Sequence, residues 1–176
     1  MNQTFLRIAL AATAAVLSLP ERTHAQTKTL RIAFNAPDLR STPFAYALTL
    51  VRQEAEILGV TIFPQDGKGS AVQQSADLMN AVNMGLDGII LAPNGEGSLS
   101  PAVNDVLAAN VPIVTVACRL HGIDRPLCQL SGEEDHTGLT EQTKTALQAL
   151  VSYVRDHKPL QTAEIKGDDG GRKTGN

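Results

Sequence analysis

The sequence predicts one α/β domain of three layers, in which helices cover both faces of a mostly parallel sheet. Short runs rich in valine and isoleucine alternate with amphipathic helical patterns from residue 30 onward. These runs are short enough for buried strands, and a single helix between two strands implies a right-handed crossover and parallel pairing. The chain of 176 residues is also about the length of one domain. We therefore expect a three-layer sandwich.

Each helix is placed by an apolar stripe with steps of three or four residues and by the residues at its ends. Gly59 suits the left-handed residue that follows many helices. Ser100 and Pro101 are expected to cap and to open a short third helix, and Pro159 stops the fourth. Strands are expected at residues 30–34, 60–63, 88–92, 112–117 and 162–166, and helices at residues 44–58, 72–82, 102–107 and 137–157.

The first residues have the pattern of a cleaved export signal. A positive charge precedes an apolar run over residues 8–19, and small residues occupy Thr23 and Ala25, the two positions that a signal peptidase inspects. A membrane anchor is the alternative, but a span needs about 20 apolar residues, and Pro20 ends the run sooner. The expected division is a signal peptide over residues 1–25, a folded domain over 26–166 and a disordered polar tail over 167–176.

The composition excludes several classes of partner. The formal net charge of −3 leaves no basic surface for nucleic acid or an anionic membrane. The chain has no tryptophan and few other aromatic residues, so it has no evident surface on which bases would stack. We therefore expect no nucleic-acid partner.

Two cysteines, Cys118 and Cys128, flank one loop of the mature chain. Export would place them where disulfides form, so they are a candidate disulfide. Two buried thiols are the alternative, because the sequence does not fix the distance between them. The histidines have no ligand spacing with these cysteines, and we expect no metal and no cofactor.

A polar loop follows each of the first four strands. In a parallel sheet, ligands bind beyond the carboxyl ends of the strands, near the point where the strand order reverses. The four loops carry hydrogen-bonding side chains, and we expect them to meet at that edge around one small molecule. They comprise residues 35–43, 65–69, 93–97 and 118–121.

Two segments carry a resemblance to a known family. Residues 85–94 read GLDGIILAPN and residues 111–116 read VPIVTV. Together with residues 42–44, which open the first helix, they resemble type I periplasmic substrate-binding proteins of sugar importers. These are the ribose-binding type and its relatives in the lactose-repressor-like superfamily. The resemblance extends over most of residues 30–166 and implies a flavodoxin-like sheet, here the N-terminal one of two lobes that close around a ligand.

The resemblance also implies a sugar site. The family touches the sugar with the residue before a Pro-Phe pair and with the aromatic ring, which fall here on Thr42 and Phe44. A second aromatic often follows in the family, where this chain has Ala45. The family's Asp-Arg pair after the fourth strand falls on Cys118 and Arg119, so the guanidinium is kept and the carboxylate is lost. With the loop residues that could compensate, the candidate ligand-binding residues are Thr42, Phe44, Arg119, Asp38, Arg40, Asp66 and Asn94.

A site that lacks one stacking ring and one carboxylate is expected to bind sugar more weakly or to bind a different ligand. A single lobe also encloses only part of a ligand. We therefore expect a periplasmic solute-binding protein that serves an ABC permease, in a truncated form that binds sugar weakly or not at all alone. One alternative is a sensor subunit that presents its ligand to a histidine kinase or chemoreceptor. Another is an exported enzyme on a flavodoxin-like sheet. No Gly-x-Ser-x-Gly elbow or Cys-His motif supports the enzyme, so the chain is expected not to be one.

Overall fold

A computed structural model of the chain describes residues 28–95, 97–123, 128–131, 138–160 and 163–164. The strands in these residues are β1 (Leu30–Ala36), β2 (Val60–Asp66), β3 (Gly88–Leu91), β4 (Ile113–Thr115), β5 (Cys128–Ser131) and β6 (Ala163–Glu164). The helices are α1 (Thr42–Leu58), α2 (Ala71–Asn83), α3 (Ser100–Ala108) and α4 (Leu139–Asp156).

The strands form a sheet in the order β2-β1-β3-β4-β5-β6, and each neighbouring pair is parallel. β1 lies between β2 and β3, so the direction in which the chain adds strands reverses between β1 and β3. This is the order of a flavodoxin-like sheet, extended by one strand, and its reversal point is where such sheets bind ligands. The predicted fold class is confirmed.

Apolar side chains fill both spaces between the sheet and its helices. Successive residues of a strand point to opposite faces. β1 illustrates this, because Phe34 packs with the side chains of α1 and α4 while Ala33 packs with those of α2 and α3. Leu147 of α4 and Leu78 of α2 are fully buried, one on each face. Burial of one such side chain stabilises the fold by about 1.5–3 kcal/mol, and the two clusters make the three predicted layers.

The helix ends agree with the sequence prediction at Gly59 and disagree with it at Ser100. Gly59 follows α1 with a φ of 63°, a left-handed backbone that glycine adopts at little cost. Ser100 does not cap α3, whose N-cap residue is Leu99. The Ser100 hydroxyl donates instead to the carbonyl oxygen of His121, because the loop after β4 lies against the start of α3. Pro101 occupies the first turn, as expected.

Strand β5 is missing from the sequence prediction. It pairs with β4 through Val114↔Cys128 and Thr115↔Gln129, although its sequence is CQLS. Leu130 is 1% exposed and is the single strongly apolar aliphatic residue in this strand. One such residue among polar neighbours has no strand pattern, so this strand depends on its pairing with β4 and not on local sequence.

Some sequence expectations concern residues outside the described ranges. They are the signal peptide over residues 1–25 and the polar tail over residues 167–176, and both remain predictions. None of the helices in the described part of the chain is long and apolar enough to cross a membrane.

Candidate functional site

Asp38 and Arg40 lie in the loop between β1 and α1 and bind each other. The Arg40 guanidinium donates from Nε to Oδ1 and from Nη2 to Oδ2 of Asp38, each at 3.0 Å. The side-chain hydrogen bond from Arg40 is the main reason that the pKa of Asp38 lies below its usual value. The Arg40 side chain is 76% exposed, so the pair adds little stability. It presents a carboxylate and a guanidinium together at the surface, open to a polar ligand.

Asp66, at the end of β2, joins the first loop to the second. Its Oδ1 accepts the backbone N–H of Leu39 at 3.1 Å and that of Lys68 at 3.0 Å. These bonds occupy one carboxylate oxygen with backbone donors from both loops. Asp66 therefore fixes the loops around the candidate site in addition to its predicted contact with a ligand.

Thr42 and Phe44 open α1 but have different surroundings. Thr42 is exposed at the first position of the helix. Phe44 is 9% exposed, and its ring belongs to the apolar cluster between the sheet, α1 and α4. The ring thus offers a ligand only a small part of its surface, and the predicted stacking role of Phe44 remains a prediction.

Asn94 joins the second loop to the third. Its side-chain Nδ2 donates to the carbonyl oxygen of Gly69 at 2.9 Å. The backbone carbonyl oxygen of Asn94 accepts from Ser98 Oγ at 2.9 Å. The Asn94 backbone N–H donates to Gln74 Oε1 at 2.9 Å. Asn94 lies on the β3 side of the point where the strand order reverses, opposite the Asp38–Arg40 pair on the β1 side.

Buried amides lie beneath these loops and were not predicted from the sequence. Asn35 and Gln74 are both 0% exposed, and Gln74 Nε2 donates to Asn35 Oδ1 at 2.7 Å. Asn35 Nδ2 donates in turn to Gln65 Oε1 at 3.1 Å. The chain of amides thus crosses the carboxyl ends of β1 and β2 and reaches α2. A polar residue inside an apolar strand pattern, such as Asn35, was the one available sign of it.

The turn after β4 is strained. Ala117 has a φ of 72°, and the Cys118 N–H donates to the Val116 carbonyl oxygen at 2.9 Å, which defines a three-residue γ-turn of the rare type. A left-handed alanine costs about 1–2 kcal/mol. Gln142 of α4 supports the turn, because its Oε1 accepts the Ala117 N–H at 2.7 Å. The turn sets the direction in which the chain leaves β4.

Arg119 is exposed and lies between two anchored neighbours. Cys118 Sγ is 3.7 Å from the carbonyl oxygen of Pro93, which links the fourth loop to the third. Leu120 is 3% exposed, and its N–H donates to Gln129 Oε1 at 2.8 Å. The Arg119 backbone is therefore held at the carboxyl edge of the sheet, beside the third loop.

The structure brings the four predicted loops to one edge and links each to the next. Asp66 joins the first to the second, Asn94 the second to the third, and Cys118 the third to the fourth. Thr42 and Arg119 are exposed at this edge, whereas Phe44 is mostly buried. Hydroxyl, guanidinium, carboxylate and amide groups thus lie along one edge of the sheet, and between them they can donate and accept hydrogen bonds.

Two grooves lie at the opposite, amino-terminal edge of the sheet. The larger, with a cavity volume of about 510 Å³, includes Asp87, Tyr153 and His157 in its lining. Asp87 binds Lys28 Nζ at 2.6 Å and the Arg31 backbone N–H at 2.8 Å. Burial acts to raise the pKa of Asp87, but these hydrogen bonds outweigh it and hold the pKa below its usual value. These grooves were not predicted from the sequence.

The sequence predicts no metal site and one candidate disulfide. In the described residues no group of three or more histidine, cysteine, aspartate or glutamate side chains could hold a metal ion. The candidate disulfide between Cys118 and Cys128 remains a prediction, because the side chain of Cys128 lies outside the described residues.

The strand order and the four linked loops define the class of fold. A parallel sheet in this order, with polar loops at its point of reversal, is the architecture of one lobe of a type I periplasmic binding protein, and the resemblance stated from the sequence is confirmed. The particular relatives agree with that class.

The ribose import binding protein of Bacillus subtilis (strain 168) is 25% identical over 137 residues, which are 76% of this chain and 42% of the relative. A carbohydrate transporter solute-binding protein from Agrobacterium radiobacter, solved with D-arabinose, superposes with a TM-score of 0.54 at 17% identity, over 82% of this chain and 59% of that one. A mutant XylFII–LytSN complex gives a TM-score of 0.53 at 16% identity, over 59% and 37%. No family profile matches the chain.

The likeness to solved structures at these identities shows the fold alone. The chain spans less than half the length of the ribose import protein. Two of the relatives named above are, by their names, binding proteins of sugar transport.

Proposed function

We propose that the chain is the sugar-binding part of an exported solute-binding protein of an ABC import system. The observation that carries the proposal is the set of four polar loops, linked to one another at the point where the strand order reverses. The likeness to the ribose import binding protein supports a sugar, or a similar small polar molecule, as the ligand. Its location would be the periplasm, following removal of residues 1–25.

The residues that would hold the ligand have distinct roles. Arg119 and the Asp38–Arg40 pair would bond sugar hydroxyls with charged groups, which make the stronger hydrogen bonds. The exposed Thr42 hydroxyl and the side chain of Asn94 would complete the polar contacts. Asp66 would act with its second oxygen, and Phe44 would contribute the part of its ring that is exposed.

We propose that binding by these residues alone is weak. The described residues supply one face of a site, and small-molecule sites normally bury most of the ligand. The chain also has Ala45 and Cys118 where the resembled family has a second ring and a carboxylate. Isothermal titration of the purified chain with D-ribose, D-arabinose, D-galactose and D-glucose is expected to give dissociation constants of about 1 mM or weaker.

Matched arginine variants locate the binding. Arg119→Ala is expected to abolish the heat of binding, whereas Arg52→Ala, at an exposed position on α1, is expected to leave it unchanged. A micromolar constant for the wild-type chain would contradict the one-face proposal. Equal effects of the two substitutions would contradict the role of Arg119.

A second candidate partner is a periplasmic sensor domain. It is supported by the solved XylFII–LytSN complex, in which a protein of the same fold is bound to another chain. Measuring association of this chain with the permease and with a purified sensor domain of the same genome, with and without sugar, would distinguish the two partners. Sugar-dependent binding to the sensor domain alone would favour the sensor.

A further inference from the structure

Gln74 is a fully buried polar side chain on a helix that packs against the sheet. It is 0% exposed and lies on the same side of α2 as the buried Leu78. An apolar residue would fill this position without the need for partners, and a buried amide is costly unless it is hydrogen-bonded. The reason for an amide here must therefore lie in what it binds.

The Gln74 amide makes three hydrogen bonds to the carboxyl ends of two strands. Its Nε2 donates to Asn35 Oδ1 at 2.7 Å and to the carbonyl oxygen of Ala92 at 2.9 Å. Its Oε1 accepts the backbone N–H of Asn94 at 2.9 Å. One side chain thus links the end of β1 to the residues that follow β3, across the point where the strand order reverses.

The second loop packs directly on the stem of the same side chain. A Cβ at Gly67 would lie 2.5 Å from Gln74 Cγ and 3.0 Å from the carbonyl oxygen of Pro37, so this approach is possible only for glycine. The Gly67 N–H donates to the carbonyl oxygen of Ala36 at 2.9 Å, which ties the second loop to the first. Gln74 therefore contacts or binds the start of all three loops.

We infer that Gln74 is a positioning residue of the ligand face, which sets the relative positions of the first three loops without touching the ligand. The inference rests on the proposed function for what those loops bind. Its geometric part, that Gln74 holds the loops, stands independently of any ligand.

The first test is amide hydrogen exchange of the full chain without ligand, followed by NMR. Gln74→Met keeps the length of the side chain and removes all three hydrogen bonds. It is expected to speed exchange of the Asn94 N–H by about tenfold or more, once the change in global stability has been subtracted. Leu78→Val, buried on the same helix, is expected to lower the melting temperature and leave that corrected exchange rate unchanged. An unchanged Asn94 rate in Gln74→Met would overturn the inference.

Gly67→Ala provides a second variant if Gln74→Met does not fold. It leaves the Gln74 amide intact and pushes the second loop away from its stem, so a smaller rise in the exchange rate of Asn94 is expected. No rise would count against the inference. The control is again Leu78→Val, which leaves Gly67 and the Gln74 amide unchanged.

The second test is an NMR titration with D-ribose as the probe. Gln74→Met is expected to weaken its binding by about tenfold, and Leu78→Val to leave it unchanged. Equal binding by wild type and Gln74→Met, despite faster Asn94 exchange, would overturn the role in ligand binding. If the wild-type chain binds none of the sugars, the proposed function fails, while the exchange rates still decide whether Gln74 holds the loops.

Discussion

The half of the sheet formed by β2, β1 and β3 is held differently from the half formed by β4, β5 and β6. β1 and β2 have seven residues each and pair along their full length. β3 has four residues, and within the described residues β4, β5 and β6 have three, four and two. Buried amides join the loops of the first half to one another, whereas in the second half the buried amide of Gln142 supports a single turn that contains a left-handed alanine. The first two loops thus rest on the longest strands of the sheet, and Arg119 follows the strained turn after the short β4.

The largest expected effect comes from removing one core side chain in each half. Phe34 of β1 is fully buried between the sheet and its helices, and Phe34→Ala is expected to lower the free energy of unfolding by about 3–5 kcal/mol. Leu130→Ala, in the short β5, is expected to cost about 2 kcal/mol, the low end for such a substitution. Urea unfolding measures both. A larger loss for Leu130→Ala would mean that the second half of the sheet carries more of the stability than its short strands indicate.

A smaller effect is expected at the support of the strained turn. Gln142 is 2% exposed, and Gln142→Met leaves the Ala117 N–H without its acceptor, at a cost of about 1–3 kcal/mol. The substitution is also expected to weaken sugar binding through displacement of Arg119. Gln53→Met, at an exposed position of α1, is the control and should change stability by less than about 0.5 kcal/mol. Equal stability of the two variants would show that the turn does not need Gln142.

The smallest expected effect is on the pH dependence of stability, through Asp87 at the amino-terminal edge of the first half. Burial acts to raise the pKa of Asp87, but hydrogen bonds from Lys28 and the Arg31 backbone together hold it below its usual value of 3.8. A carboxylate with a lowered pKa in the folded state contributes stability above pH 3.8 and loses it as the pH falls through the folded-state value. Wild type should therefore lose stability as the pH falls below 3.8, and Asp87→Asn should lose less over the same pH range.

Thermal unfolding between pH 7 and pH 2.5 measures this difference. Lys28→Ala, which removes the ammonium partner of Asp87 and keeps the Arg31 backbone N–H, should give an intermediate pH dependence. A drop of the same size in wild type and Asp87→Asn would contradict the prediction.

The same contrast between halves explains how much could be predicted from the sequence. β1, β3 and their helices follow from apolar periodicity, because each buries several consecutive residues in the core. β5 could not be predicted, since CQLS gains its strand conformation from pairing with β4. Ser100 has the right residue type and position for a cap, but the competing acceptor at His121 comes from a distant loop.

The candidate site was also only partly predictable from the sequence. The loops and their shared edge follow from the strand order, and Asp38, Arg40, Asp66 and Asn94 all lie there. The hydrogen-bond partners of these residues do not follow, because Gln74 and Gln142 reach the loops from helices far along the chain. Burial of the Phe44 ring also depends on the packing of α4 against α1, which local sequence does not fix.

The most direct test of the sugar-binding face is a map of backbone chemical shifts during titration of the ¹⁵N-labelled chain with D-arabinose. We predict that the largest shifts fall on Arg40, Thr42, Asn94 and Arg119, at the carboxyl edge of the sheet. Shifts confined to Asp87, Tyr153 and His157, around the groove at the amino-terminal edge, would contradict this assignment of the site, as would the absence of any shift with every sugar tried.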